Sequence, residues 1–258
     1  MSTFLFDEFV FGPIKSRRLG NSLGINLLST TQKVCNFNCI YCECGLTKKA
    51  EKEKSLFCGK EIVLKLLSER LIQCKNQKIE INSITFAGNG EPTLHPNFLS
   101  IIRETIKLRD IYFPESKISV LTNGYTLNKK RIQDALSMVE LPIIKLDAGS
   151  DIMLKTIDQP KGEFKIATIL NNIESFNKQV VIQTMFLKGE INGKKFDNSK
   201  GEELNKWIEV VRKINPKLVM LYSLDRDTPM NTIYAIGKDE LLEIATRLNL
   251  LNIKTQTV

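Results

Sequence analysis

The sequence predicts a single α/β domain with a mainly parallel sheet. From Glu61 to the last residue, apolar segments typical of buried strands alternate with segments that carry apolar residues at helical spacing. Strands that alternate with helices require parallel pairing and right-handed crossovers, so the sheet is either doubly wound or curled into a β/α barrel. The 258 residues include 42% apolar residues and no Pro/Gly/Ser-rich linker, which favours one packed domain over residues 1–258.

The predicted elements follow in order after an N-terminal segment. Phe4–Phe11 precedes a glycine-rich loop, Gly12–Gly24, and Ile25–Leu28 is predicted to be a short strand. The chain is then charged and irregular between Cys44 and Lys60. The remaining elements are helix 61–74, strand 79–87, helix 97–109, strand 118–121, helix 128–138, strand 143–147, helix 165–176, strand 180–187, helix 201–213, strand 218–224, helix 238–249 and a terminal run 253–258. We therefore divide the domain into an N-terminal extension (1–24), a core (25–225) and a C-terminal β/α extension (226–258).

The composition bears on the partners of the protein, its location and the state of its cysteines. The net charge of +8 would help it to meet phosphate groups, although a basic surface without any nucleic-acid partner explains the same excess. No apolar run reaches about 18 residues, and the N-terminus lacks the basic and apolar parts of a signal peptide. We therefore expect a cytoplasmic monomer without a membrane segment. All six cysteines then stay reduced, which favours a metal or catalytic role over disulfides.

Three cysteines with the spacing C-x3-C-x2-C follow the first predicted strand: Cys35, Cys39 and Cys42. Thiolates in one loop are soft ligands suited to an iron–sulfur cluster. A cubane cluster has four irons, so three cysteines leave one iron open, which favours a reactive cluster over a closed electron carrier. The alternatives are structural cysteines or a zinc site that Cys44 could complete. With His95 as the only histidine, an H-E-x-x-H zinc hydrolase is excluded.

Polar and glycine-rich segments follow several predicted strands directly. They are Gly88-Asn89-Gly90-Glu91, Thr122-Asn123-Gly124, Asp147 and the segment after Leu187. In a parallel sheet or barrel the loops at the carboxyl ends of the strands build the site, so we expect these segments to converge with the cysteine loop on one face. Glycines allow close backbone approach, and carbonyl and carboxylate oxygens can accept hydrogen bonds from an ammonium group.

The cysteine triplet and the two strand-end segments, in this order and separated by β/α units, resemble the radical SAM superfamily. This resemblance implies a partial (β/α)6 TIM-type barrel. It also implies a [4Fe–4S] cluster on Cys35, Cys39 and Cys42, whose open iron is chelated by the amino and carboxylate groups of S-adenosylmethionine. The implied activity is reductive cleavage of S-adenosylmethionine to a 5′-deoxyadenosyl radical that modifies a substrate, as in an oxidoreductase or lyase. The electron would come from a donor such as flavodoxin or ferredoxin.

The same resemblance implies cofactor contacts for the strand-end residues. The methionine amino group would meet the glycine-rich turn, and the adenine would lie near Tyr41, which could instead shield the cluster. Lys145 and Asp147 are two residues apart on a strand and should face the same side, towards the site or in a structural ion pair. The predicted cofactor-binding residues are Tyr41, Gly88, Asn89, Gly90, Glu91, Thr122, Asn123, Asp147, Gln183 and Tyr222. Cys44 is either a redox-active or hydrogen-atom-donating thiol or a bystander.

The segment Phe11–Ile25 is similar, within the superfamily, to the group related to wyosine-forming tRNA enzymes, which implies a tRNA base as the substrate. No cysteine precedes Cys35, so the N-terminal ligands of that group's second cluster are absent from this chain. A peptide, a protein or a small metabolite is the alternative substrate, and a non-catalytic iron–sulfur redox or binding protein is the alternative class. Lys188–Lys200 is predicted to be a loop over the site. The predicted substrate residues are Arg17, Arg18, Lys194, Lys195 and Arg226.

Overall fold

The computed structural model describes residues 4–47, 56–226 and 228–258. Its strands are β1 (Val10–Ser16), β2 (Gly20–Ile25), β3 (Ser83–Phe86), β4 (Lys117–Thr122), β5 (Leu141–Lys145), β6 (Val181–Ile191), β7 (Lys194–Asp197), β8 (Leu218–Ser223), β9 (Ile233–Ala235) and β10 (Thr255–Thr257). Its helices are α1 (Lys60–Asn76), α2 (Phe98–Tyr112), α3 (Lys130–Ser137), α4 (Asp151–Ile157), α5 (Ile166–Phe176), α6 (Gly201–Ile214) and α7 (Lys238–Asn249). None of the helices in this described part of the chain is long and apolar enough to span a membrane.

One curled sheet organises the molecule. Its strand order is β1-β2-β3-β4-β5-β6-β8-β10, with β7 and β9 paired to β6 outside this path. Each neighbouring pair from β2 to β10 runs parallel, and helices lie in the crossovers between these strands. The strands from β2 to β8 with their helices form the partial (β/α)6 barrel that the sequence predicted.

Side chains alternate between the two faces of the sheet, as the two-residue period of a strand requires. On β6, Ile182 and Phe186 belong to the main core, which includes the apolar faces of the helices. Val181 belongs instead to a smaller cluster with Ile143 of β5 and Met220 of β8, on the inner face of the barrel. We call this cluster, together with Leu19, Leu121, Leu141 and Leu218, the lumen floor.

The N-terminal hairpin corrects the predicted loop Gly12–Gly24. Strands β1 and β2 pair antiparallel, and β2 then pairs parallel with β3, so the first barrel strand is Gly20–Ile25 and not Ile25–Leu28. The glycine content suggested a loop, but Gly24 is a packing position. A Cβ there would lie 2.2 Å from the ring of Phe11. The missing side chain lets the aromatic ring lie flat on the strand.

The turn between β1 and β2 reaches the opposite edge of the sheet. Arg17 Nη2 lies 3.2 Å from Asp225 Oδ2, just beyond β8. Gln256 Nε2, on β10, donates a hydrogen bond to Arg18 O at 3.5 Å. Leu19 packs in the lumen floor. The hairpin therefore spans the open side of the partial barrel, between β2 and the β8–β10 edge.

The region Lys188–Lys200 also differs from the prediction, because most of it is a hairpin and not a loop. Strand β6 continues to Ile191, and Asn192 (φ 50°) and Gly193 (φ 75°) turn the chain into β7. Positive φ at two successive residues is typical of the two-residue hairpin turn that Asn-Gly favours. Strand β9 pairs antiparallel with β6 as well, so a small antiparallel layer extends beyond the barrel.

Helix α4 is absent from the predicted elements because its seven residues are too few for a helical period to stand out. Its start carries a local signal, since Ser150 Oγ accepts a hydrogen bond from Met153 N at 3.2 Å. The helix matters for the site because its last residue contacts the cysteine loop, as described next.

Candidate active site

The cysteine loop leaves the carboxyl end of β2 and lies against the glycine-rich turn. Val34 N donates to Asn89 O at 2.8 Å, and Glu91 N donates to Val34 O at 3.0 Å, so the residue before the first cysteine forms a short parallel bridge with the turn. Further along the loop, Ile40 N donates to Ile157 O at the end of α4, at 2.9 Å. The loop is thereby held between the ends of β3 and α4.

The close approach at this bridge requires glycine. Gly90 has φ +141°, and a Cβ there would lie 1.9 Å from Val34 O. Gly88 has φ +154°, and a Cβ there would lie 2.5 Å from Asn26 Oδ1. L-residues with side chains rarely adopt either conformation. The two glycines therefore let the turn after β3 lie directly against the chain that carries the cysteines.

Glu91 connects the glycine-rich turn to the segment after β4. Its buried carboxylate accepts hydrogen bonds from Thr93 Oγ1 at 2.5 Å, Thr122 Oγ1 at 2.7 Å and Asn123 N at 2.7 Å. Burial raises the pKa of Glu91, and these hydrogen bonds oppose the shift. The arrangement fixes Asn123 so that its Nδ2 lies 3.9 Å from Cys35 Sγ. Glu91 thus positions the side chain of Asn123 against the cysteine loop.

The buried side chain of Lys33 places a positive charge near the thiols. Burial alone would lower the pKa of Lys33, but the charges of Cys42, Cys35 and Cys39 raise it on balance. Burial raises the pKa of Cys35 to about 11, with Lys33 opposing. At Cys42 the hydrogen bond from Cys44 and the charge of Lys33 together lower the pKa to about 5, against the effect of burial. Lys33 therefore favours the thiolate form of Cys35 and Cys42, and the thiolate is favoured on balance at Cys42.

The polar groups around the thiols fit an iron–sulfur cluster. Phe37 N donates to Cys35 Sγ at 3.4 Å. Asn36 Nδ2 is buried without a hydrogen-bond partner in residues 4–47, 56–226 and 228–258, although Asn36 Oδ1 accepts from Asn123 Nδ2 at 2.7 Å. Cluster sulfurs accept such N–H groups. Over the same ranges no three Cys, His, Asp or Glu side chains converge enough to hold one metal ion.

A buried charge network lies beside the cysteines at the end of β5. Lys145 Nζ pairs with the carboxylates of Asp147 and Asp158, and Tyr41 Oη donates a hydrogen bond to Asp147. The second oxygen of Asp147 accepts from Met185 N at 2.9 Å. Burial raises the pKa of Asp158 to about 7, while Lys145 opposes the shift. Lys145 and Asp147 thus lie on one side of the chain in an ion pair, and they fix the ring of Tyr41.

A cavity of about 410 Å³ opens next to the cysteine loop, inside the barrel. Burial, and then the charge of Asp147, raises the pKa of Tyr222 to about 12, with a hydrogen bond from Gln183 opposing. Gln183 therefore holds the Tyr222 ring at the cavity wall. The lining includes Tyr41, Cys42, Cys44, Gly88, Arg18, Ser22, Thr85, Met185 and Tyr222.

The remaining predicted substrate residues lie at or beyond the rim of this cavity. Arg17 and Arg226 line its outer part in exposed ion pairs, the second of them with Glu43 Oε2 at 2.8 Å. Exposed ion pairs of this kind contribute little to stability. Lys194 and Lys195 are exposed on β7 and do not line the cavity. The structure therefore separates the arginines of the cavity from the lysines of the hairpin.

Sequence reasoning missed three residues of this site: Lys33, Asn36 and Asp158. Lys33 and Asn36 flank the first cysteine, so their positions in the sequence could have suggested a role. Asp158 follows the unpredicted helix α4 and gave no local signal. The predicted residue Asn89 is fully buried, accepts from Phe6 N at 2.8 Å and donates to the carbonyl of Ser29 at 2.9 Å. Its side chain ties the N-terminal segment to the turn.

The chain is similar in sequence to several known proteins. A Brachyspira hyodysenteriae protein named GTPase Obg is 34% identical over 235 residues, which are 90% of this chain and 32% of that protein. A Helicobacter pylori protein named UPF0026 protein is 32% identical over 238 residues, 91% of this chain and 71% of that protein. The chain thus spans about a third of the first relative.

Among solved structures, a radical SAM methyltransferase from Sphaerobacter thermophilus has the same fold. The TM-score is 0.64 at 16% sequence identity, and the match covers 92% of this chain and 65% of that chain. The family model described as the Radical SAM superfamily matches residues 29–195, which include the cysteine loop, the glycine-rich turn and strands β3 to β6. The chain therefore belongs to the radical SAM superfamily.

Proposed function

We propose that this radical SAM enzyme modifies a tRNA base, and that Cys35, Cys39 and Cys42 hold its [4Fe–4S] cluster. The observation that carries the proposal is that the loop with the three cysteines borders a cavity, which Cys42 lines together with residues of the barrel strands. In this proposal the enzyme works in the cytoplasm as a monomer and receives electrons from a donor such as flavodoxin or ferredoxin.

Cys35, Cys39 and Cys42 would hold a [4Fe–4S] cluster, which would supply one electron for the reductive cleavage of S-adenosylmethionine to methionine and a 5′-deoxyadenosyl radical that abstracts hydrogen from the substrate. The residues of the chain bind and orient the cofactor, and they exclude water from it. In our proposal the backbone of Gly88 and Gly90 and the side chains of Thr122 and Asn123, fixed by Glu91, hold the methionine part and the ribose. On the opposite wall we assign contacts with the ribose and adenine to Tyr41, Asp147, Gln183 and Tyr222. Cys44 lines the cavity and is our candidate for a thiol that donates a hydrogen atom.

Cofactor chemistry is tested first. The protein is reconstituted anaerobically with iron and sulfide, reduced with dithionite and mixed with S-adenosylmethionine. We expect 5′-deoxyadenosine from the wild type and none from Cys39→Ala, which removes a predicted ligand. Cys74→Ala is the matched control, because Cys74 is buried in α1 away from the site. A protein that takes up zinc instead, or that holds a cluster but never yields 5′-deoxyadenosine, would contradict the proposal.

The positive charge of the chain supports RNA as the substrate. The chain carries a net charge of +8, and Lys194 and Lys195 are exposed on the hairpin that extends beyond the barrel. Phosphate contacts by lysine release counterions, so binding weakens as salt is added. We expect tRNA binding with a steep salt dependence, and a slope reduced by about 2 in Lys194→Ala/Lys195→Ala.

The control for this change is Arg212→Ala/Lys213→Ala. It removes the same charge from exposed positions in the last turn of α6, at the other end of the barrel. An equal effect of both double variants would show only a general charge effect. Absent or salt-insensitive tRNA binding would favour a peptide, a protein or a small metabolite as the substrate. Mass spectrometry of tRNA nucleosides from cells with and without the gene then identifies the modified base.

A further inference from the structure

The turn between β1 and β2 carries two arginines with different surroundings. Ser16 Oγ accepts hydrogen bonds from Arg18 N at 3.3 Å and Leu19 N at 3.2 Å, so the turn has a fixed shape. Leu19 is anchored in the lumen floor. Between these anchors Arg18 lines the cavity, whereas Arg17 points to the exposed carboxylate of Asp225.

The guanidinium of Arg18 is stacked but not fully hydrogen-bonded. Its central carbon lies 4.7 Å from the centroid of the Tyr222 ring. Its Nη1 atom is buried and has no hydrogen-bond partner in the part of the chain that the structure describes. Stacking uses the face of the guanidinium and leaves the N–H groups at its edge free. A buried charged donor without a partner is costly, so such an arrangement is expected where a ligand supplies the acceptor.

Hydroxyl groups on two barrel strands line the same cavity. Ser22 of β2 and Thr85 of β3 line the cavity, and their hydroxyl oxygens lie 2.7 Å apart. The chain continues from Thr85 to Ser83 at 3.0 Å and from Ser83 to Ser119 at 2.7 Å. Within the described ranges these three bonds join four hydroxyls and use three of their four O–H groups. One O–H therefore remains to donate to another acceptor.

We infer that this cavity binds an anionic oxygen group of the substrate, a phosphate or a carboxylate, through the guanidinium of Arg18 and the O–H of Ser22 at the end of the hydroxyl chain. An arginine fork and a hydroxyl donor match the oxygens of either group. Ser22 lies three residues before the end of β2, so this subsite is deeper than the cysteine loop. The inference rests on the proposed function, because it takes the outer end of the cavity as the place of the cofactor.

The test measures anion binding without turnover. Reconstituted protein saturated with S-adenosylmethionine is titrated with inorganic phosphate or with acetate at constant ionic strength, and the shift in unfolding temperature gives an apparent Kd. We expect one anion to stabilise the wild type, with a Kd weaker by about tenfold or more in Arg18→Gln, since a charged hydrogen-bond donor is lost. Arg18→Lys keeps the charge but not the fork and should be intermediate. Arg212→Gln, at an exposed position in the last turn of α6, is the control and should match the wild type.

The outcomes separate the possible occupants. Stabilisation by phosphate assigns a phosphate-bearing substrate of the nucleotide type, and stabilisation by acetate assigns a carboxylate-bearing one. Equal loss in Arg212→Gln and Arg18→Gln, or no concentration dependence with either anion, overturns the inference. So does weaker binding of S-adenosylmethionine by Arg18→Gln in equilibrium dialysis, because Arg18 would then serve the cofactor. Failure to form 5′-deoxyadenosine would refute the proposed chemistry alone, since anion binding needs no turnover.

Discussion

Replacing Gly90 by alanine should unfold the bridge that positions the cysteine loop. A Cβ at this position would lie 1.9 Å from Val34 O and 2.5 Å from Val34 C, both backbone atoms that a side-chain rotation cannot move away. Holding alanine at φ +141° adds about 1–3 kcal/mol of backbone strain. Relief of the clash separates the cysteine loop from the glycine-rich turn. It breaks the hydrogen bonds Val34 N to Asn89 O and Glu91 N to Val34 O, each of which contributes about 1 kcal/mol.

The expected loss of unfolding free energy is therefore about 3–5 kcal/mol. Urea unfolding followed by circular dichroism measures it. Gly193→Ala is the matched control, because Gly193 also has positive φ (+75°) but no atom within 4 Å of the added Cβ, so it reports strain alone, about 1 kcal/mol. The iron content of reconstituted Gly90→Ala should fall as well. If Gly90→Ala loses no more stability than the control and keeps its iron, the close approach does not position the cysteines.

Two further predictions concern the buried Lys33 and the single histidine, His95. Lys33→Met should weaken retention of the cluster during gel filtration by about tenfold or more. The change removes the charge that faces the thiolates and the hydrogen bond from Lys33 Nζ to Gly45 O at 2.8 Å. Lys107→Met, at an exposed position of α2, is the control, and equal retention in both variants would contradict the prediction. Burial lowers the pKa of His95, whose Nδ1 accepts from Asn97 N at 3.1 Å. The folded pKa is below the unfolded one, so the neutral ring stabilises the fold fully above about pH 6.5, and this stability is lost as the pH falls. Urea unfolding at several pH values should show a shallower loss below neutral pH in His95→Asn, and an unchanged slope would refute this assignment.

The sequence predicted those parts of the fold that depend on local pattern. The alternation of strand and helix, the bounds of α6 and α7 and the order of the strand-end loops follow from apolar periodicity, which is a property of short windows. The cysteine triplet and the glycine-rich turn were also found there, because both lie within a few residues. The two-residue period of a strand predicted that Lys145 and Asp147 lie on the same side of the chain at the end of β5, where they form an ion pair.

The parts that were missed depend on contacts between distant residues. Gly24 appeared to be a loop residue, because nothing in its own neighbourhood shows that Phe11 will occupy the space of its side chain. The Asn192-Gly193 pair was a local hairpin signal, but the lysines around it favoured a loop. Asp158 meets Lys145 only because α4 returns the chain to the barrel end. The partner of a buried charge is a tertiary property, so no window of sequence contains it.

The strand period also explains why one cavity can be apolar at its floor and polar at its mouth. On β5 the inward positions run from Ile143 to Lys145, and on β8 they run from Met220 to Tyr222. Each step of two residues moves about 6.6 Å towards the carboxyl end without changing the face. A single inserted residue in such a strand would turn the polar group towards the helices and an apolar one into the lumen. The chemistry of the site therefore depends on register as much as on residue type. The hairpin turn adds a charge that no barrel strand supplies, because Arg18 lines the same cavity and stacks on the Tyr222 ring.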